Sequence, residues 1–197
     1  AAPEALVQRT LPKEVLMNHV LRLHLSDTVD LNALGEQLVH LGYTRCQQVE
    51  GMGQFALRGG ILDVFGPGME APVRVEFFGD EVDAMGAFDL ASQRRVHNME
   101  QICLLPAGEV LPAMTPGGST ALAEKLEAMA GKLSNKKRSG SDELIGRLKA
   151  DAELLRQNAL RGGLDRYMAA IYEERAIPLE YLASDAMVCI CDSARVM

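Results

Sequence analysis

The alternation of apolar and polar residues over 54–88 constrains the fold of this chain more than any other feature. In VRVEFF (73–78) a period of two sends Val73, Val75 and Phe77 to one face of a strand, and Arg74, Glu76 and Phe78 to the other. Residues 54–65 read as a strand that GPG at 66–68 breaks, and Gly79-Asp80 reads as a tight turn into EVDAMGAF. FDLASQRRV then turns into a further short strand. Upstream, LRLHL (21–25) alternates like a strand, and YTRCQQV (43–49) reads as another. Between them Asp30 is placed to cap a helix, since its carboxylate accepts the N–H groups that a first turn leaves unpaired. Leu31, Leu34, Leu38 and Leu41 make that helix's apolar stripe, and Gly42 ends it. The expectation is an α+β unit, a small antiparallel sheet with one packed helix, ending near Leu105-Pro106.

Past LPAGEVLPAMTPGGS the pattern changes to helices. Leu122, Leu126, Met129 and Leu133 fall at helical spacing between Ser119 and Leu133, and Ser141 is placed to cap a helix running to about Asn158 with Leu144, Ile145, Leu148 and Leu155 as its stripe. KLSNKKRSGS between them reads as a basic, polar hinge, and LDRYMAAIYEER as a further helix limited by Pro178. Tyr167, Tyr172 and Tyr181 read as half-buried packing residues whose hydroxyls reach water. AMVCIC (186–191) has the composition of a strand buried on both faces, which needs neighbours from a larger sheet. The division predicted is a lead-in over 1–20, an α+β module over 21–107 and a mainly helical segment over 108–197. The chain opens on AAPEALVQR without a starting Met and stops on CDSARVM, as a piece of something longer would.

Composition excludes several function classes. Net charge is −7, and residues 1–107 carry 8 basic and 14 acidic residues, a net of −6, which argues against a general nucleic-acid-binding surface. Cys46, Cys103, Cys189 and Cys191 are too few and too irregular for a disulfide framework; the last two read as core thiols, and the four histidines do not join them in a zinc pattern. There is no GxxxxGK[ST] loop for nucleotide phosphates and no run of apolar residues long enough to span a membrane, so a cytoplasmic protein without metal or cofactor is expected. The glycines of GMGQF and GPGM read as turns. The RGG triplets sit in apolar surroundings unlike RNA-binding boxes, and KKR (136–138) reads as a solvated loop. Asp80, Glu81 and Asp83 are the one candidate for metal-dependent hydrolytic chemistry, against the plainer reading of an acidic hairpin turn.

What these readings leave over is a face carrying Arg58, Arg74 and Phe78. Arg74 and Phe78 share a strand face by parity, roughly 13 Å apart at about 3.3 Å per residue. Arg58 joins them if its strand pairs across GPG, with Ala56 and Gly60 small enough to leave its guanidinium clear. A five-donor guanidinium fork suits a partner's carboxylates, and an aromatic ring supplies a dry centre. The alternative is that Arg58 and Arg74 pair with Glu76 or Asp63 of the same module, and that Phe78 packs under the N-terminal helix.

At these residues the sequence resembles a known family. Residues 38–94, LVHLGYTRCQQVEGMGQFALRGGILDVFGPGMEAPVRVEFFGDEVDAMGAFDLASQR, are similar to the second domain of the bacterial transcription-repair coupling factors, Mfd, a domain shared in outline with the excision-repair protein UvrB. ALVQRTLP resembles the lead-in to that domain, and GLDRYMAAIYEERAIPLEYL resembles the return into a first, degenerate helicase-like α/β domain. Gly66 stands where the family usually has proline. The resemblance implies a non-catalytic module that recruits the damage sensor UvrA to stalled RNA polymerase, with the family's docking arginines falling on Arg58 and Arg74 and the following aromatic on Phe78. It places ATP, magnesium, double-stranded DNA and RNA polymerase with other domains of the parent translocase, and allows an intramolecular covering domain over the docking face. The corresponding region of UvrB is the alternative assignment.

Overall fold

The computed structural model describes residues 3–135, 140–157, 163–172 and 176–189. Two short helices, α1 (Pro3–Val7) and α2 (Lys13–Asn18), precede strand β1 (Leu21–His24). Helix α3 (Leu31–His40) begins as its sequence requires: the Asp30 carboxylate accepts from the backbone N–H groups of Asn32 and Ala33, satisfying two of the donors a first turn leaves open. Its Leu34 and Leu38 are buried.

Strands β2 (Thr44–Arg45), β3 (Gln54–Arg58), β4 (Ile61–Phe65), β5 (Val73–Phe78), β6 (Glu81–Phe88) and β7 (Arg95–Asn98) form one six-stranded sheet in sequence order. β8 (Gln101–Leu104) returns to pair antiparallel with β1 in a separate two-stranded sheet. The large sheet is mixed rather than wholly antiparallel, because β2 runs parallel to β3. The loop between them is held by the Gln54 side chain, whose Oε1 accepts from the N–H groups of Glu50 and Gly51 at 2.8 and 3.2 Å.

The single strand expected over 54–65 is a hairpin. Gly59, at φ +58°, adopts the left-handed conformation that a two-residue hairpin turn demands of its first position. The reversal puts β3 beside β4, and β4 beside β5 across the GPG loop.

One face of this sheet packs on α3 and the small sheet. Phe55, Leu62, Val64, Val73, Val75, Val82 and Met85 bury against Leu34, Leu38, Leu23, Ile102 and Leu104, as the alternation of β5 requires. A second core unites α4 (Gly118–Asn135) and α5 (Asp142–Arg156) through Leu122, Leu126, Leu148, Ala152 and Leu155. Two 3-10 turns, Leu164–Tyr167 and Pro178–Tyr181, and helix α6 (Met168–Ile171) complete this half. The tyrosines tie it together more deeply than expected: Tyr167 and Tyr172 are buried, and all three hydroxyls donate to protein acceptors, the Asp151 carboxylate and the Glu109 and Leu11 carbonyls.

The expected strand at 186–191 does not form in its described part. Ala186, Met187, Val188 and Cys189 are exposed and outside any sheet, and Cys189 is therefore no core thiol. A strand with two apolar faces needs ladder partners on its edges, and no described strand lies beside this one. Ile190 and Cys191, the basic run 136–138 and Arg161-Gly162 fall outside the described residues. Cys46 is half-buried and Cys103 is exposed. Among the described residues no helix is long and apolar enough to cross a membrane.

Candidate functional site

The face of the large sheet turned away from α3 is built in cross-strand rows. Ala56, Asp63, Arg74, Gly86 and Asn98 are successive partners from β3 to β7, and Arg58, Ile61, Glu76 and Ala84 make the neighbouring row. The β5–β6 register shifts after Glu76, where Asp83 of β6 is left without an opposite, so the parity of β5 survives and Arg74, Glu76 and Phe78 stay on one face.

At its centre is Asp63, only 1% exposed. Arg74, its direct cross-strand neighbour, grips it with a two-pronged fork: Nε donates to Oδ1 at 2.6 Å and Nη2 to Oδ2 at 2.8 Å. Arg58, one row away, donates from Nη2 to Oδ2 at 2.5 Å and from Nη1 to the Gln47 carbonyl at 3.3 Å. The Arg74 guanidinium also lies 4.8 Å from the centroid of the buried Phe88 ring and donates to Gln93 Oε1 at 3.4 Å. The hydrogen bonds that Arg74 donates to Asp63 raise its pKa above the ordinary value, so its charge is fixed. Gln93 reaches this position from a tight loop in which the Asp89 carboxylate accepts from the N–H and hydroxyl of Ser92; that bonding holds the Asp89 carboxyl below the usual carboxylate range.

The structure thus corrects the expectation that the Arg58 guanidinium stands clear, and for the two arginines it takes the alternative, pairing with Asp63. Both are paired within the chain, because the turn at Gly59-Gly60 sets the acid of β4 between an arginine of β3 and an arginine of β5. They differ in access: the Arg58 side chain is 48% exposed and that of Arg74 is 23% exposed. Phe78 does not pack under a helix. It is 82% exposed at the end of β5, which makes it the barest aromatic ring of the described residues.

One further arginine completes this face and was not singled out by sequence. Arg95 on β7 donates from Nη2 to Glu76 and from Nη1 to Asn98 Oδ1, the latter at 3.3 Å. Three arginines and two carboxylates give the cluster a net charge of +1 on a module that is otherwise acidic. The cue for Arg95 was its place in QRRV after a turn, but only the β6–β7 register reveals which face it joins.

Elsewhere the chemistry is sparse. Asp80, Glu81 and Asp83 do not converge on a cation site, since no group of three or more His, Cys, Asp or Glu among the described residues has that geometry. Glu81 and Asp83 are exposed, and the Asp80 carbonyl is engaged in closing the β1–α3 connection by accepting from Val29 N–H at 2.7 Å. An open groove of about 830 Å³ runs beside Arg58, lined by Arg45, Cys46, Gln47, Gln54 and Leu57. Burial pushes the Cys46 thiol up, the wrong direction for a nucleophilic thiolate.

Residues 21–109 match the family model described as the UvrB interaction domain. Over 99% of its length the chain is 28% identical to the transcription-repair-coupling factor of Bacillus subtilis. It is 41% identical over 107 residues to the protein of that name from Myxococcus xanthus, and 41% identical over 104 residues to that from Escherichia coli, in each case across about half of this chain. The chain spans 17% of the first relative and 9% of each of the other two.

Proposed function

We propose that this chain, a relative of the transcription-repair coupling factors with a UvrB interaction domain, is a non-catalytic docking module whose partner is the damage sensor UvrA. The observation that carries the reading is the Arg58–Asp63–Arg74 cluster set on the same sheet face as the bare ring of Phe78. Asp63 holds both guanidiniums in place without cancelling them, since two positive charges share one negative. Arg58 uses two of its five N–H donors within the chain and has half its side chain in water, so a partner carboxylate reaches its free donors. A surface ring at this exposure is worth little to the folded chain alone, but it fits the aromatic anchor of an interface whose rim is polar.

The ATP-driven motor and the contacts with RNA polymerase and DNA are assigned, in the same reading, to the remaining length of such proteins. The region 108–197, with its exposed 186–189 segment, is read as belonging to a neighbouring domain of the parent. Conditions inside a bacterial cytoplasm suit a module in which no described helix is long and apolar enough to cross a membrane and the described cysteines, Cys46, Cys103 and Cys189, are free thiols.

Calorimetric titration of the 197-residue chain with purified UvrA, and separately with UvrB, tests the proposal. Phe78→Ala and Arg58→Ala are each expected to weaken UvrA binding by about 2 kcal/mol, roughly thirtyfold, while Phe78→Ala leaves the unfolding midpoint unchanged. Unaltered affinity in both variants, or binding of UvrB in place of UvrA, refutes it.

A further inference from the structure

Arg95 lies across the sheet on the one residue that leaves room for it. Gly86 sits opposite Arg74 in β5 and opposite Asn98 in β7. A Cβ built on Gly86 would fall 2.4 Å from the His97 carbonyl oxygen, so backbone alone keeps a side chain out, and 3.1 and 3.3 Å from the Arg95 Cδ and Cγ, so the arginine stem runs over the space left bare. The slot lets the guanidinium cross β6 and arrive at Glu76, which stands between Arg74 and Phe78 on β5. Glu76 and Asn98 hold two of its N–H groups and leave the others to solvent. Its side chain is 33% exposed, more open than Arg74 at 23%.

We infer that Arg95 is a third partner-binding arginine, and that the docking surface runs from Arg58 on β3 to Arg95 on β7 with Phe78 at its edge. This deepens the proposed docking reading and rests on it. The occupant is an acidic patch on a protein partner, chosen by charge complementarity: the cluster is net positive on a module of net −6, whose overall acidity repels a nucleic-acid backbone. Each guanidinium is held by a carboxylate of its own sheet, so the face offers fixed, planar donors at three points in place of mobile side chains.

The test is titration of the full 197-residue chain, wild type and variants, with purified UvrA at several salt concentrations, alongside a mobility-shift assay with duplex DNA. Arg95→Ala is expected to weaken UvrA binding about tenfold and Arg95→Glu further, whereas Arg95→Lys retains part of the affinity. Binding by Arg95→Ala should also fall less steeply with salt, a change that a purely structural role would not produce. Urea midpoints matching wild type confirm that the variants are folded; if Arg95→Ala is not, Arg95→Gln takes its place. Wild-type affinity in Arg95→Ala, while Arg58→Ala and Phe78→Ala bind weakly, overturns the extension and leaves the docking reading standing. Wild-type affinity in all three overturns both. Loss of duplex binding with UvrA binding intact assigns Arg95 to nucleic acid and overturns the inference.

Discussion

Replacing Asp63 by asparagine keeps the shape of the side chain and removes the charge on which the whole face is organised. The native carboxylate is almost fully buried and accepts three N–H groups from two guanidiniums, at 2.5, 2.6 and 2.8 Å. The bond from Arg58 counts for little, because that arginine is half in water and screened, as exposed pairs are. The fork from Arg74 carries most of the effect, since a hydrogen bond to a charged group contributes about 1.5–3 kcal/mol and an amide here must aim either a lone oxygen or an NH₂ group at a cation. Removing one partner of a buried pair costs about 3–5 kcal/mol, and the access of both arginines to solvent places Asp63→Asn at the low end, about 3 kcal/mol. With a urea dependence of about 2 kcal/mol per molar, the unfolding midpoint followed by far-UV circular dichroism should fall by about 1.5 M. A double-mutant cycle with Arg74→Met isolates the fork, and the two changes should couple by about 2 kcal/mol. A midpoint shift below about 0.5 M, or strictly additive losses, would show that Asp63 is not the hub of this face.

Two predictions concern the scaffold. Leu38 is fully buried between α3 and the sheet, so Leu38→Ala should cost about 2–5 kcal/mol by urea unfolding, far more than any change on the exposed face. Tyr172, whose hydroxyl donates to the Glu109 carbonyl at 3.0 Å, is pushed up to about 12 by burial and by the Glu109 charge. In the unfolded chain a tyrosine ionises near 10, so the unfolded state releases the proton first; this contribution is intact below about pH 10 and is lost as pH rises towards 12. Urea midpoints between pH 10 and 11 should therefore fall, and Tyr172→Phe should flatten that fall by up to about 1 kcal/mol.

Local rules made most of the first module legible. Asp30 caps the helix it was expected to cap, and Val73, Val75 and Phe77 take the core side of β5 because parity along a strand is fixed by backbone geometry alone. Parity also set Arg74 and Phe78 on one face. Cross-strand register was not legible, because it depends on where the chain reverses. RGG at 58–60 passed for the interior of a strand when Gly59 is the turn, and that one misplacement left the pairing of Arg58 and Arg74 with Asp63 an open alternative to Glu76, where the true register dictates it. Arg95 was hidden for the same kind of reason, since its route over Gly86 exists only once β6 and β7 are aligned. At 186–189 composition misled: AMVC has the residues of a buried strand, but burial is a property of neighbours.

The pairing inside the cluster strengthens the case for docking more than bare arginines would have done. A free arginine gives up about 2 kcal/mol of rotamer entropy when a partner immobilises it. Here folding has already imposed that loss, through Asp63 on Arg58 and Arg74 and through Glu76 on Arg95. Because the acids are outnumbered, the fixed donors keep a positive field for an incoming carboxylate. An incoming acid would also find guanidiniums partly stripped of water, so less hydration has to be displaced on contact. On this account Asp63 acts at a distance from any partner: Asp63→Asn raises the face's positive charge yet should weaken docking, because orientation is lost. Stronger binding by that variant would mean that charge alone, and not its fixed geometry, governs recognition.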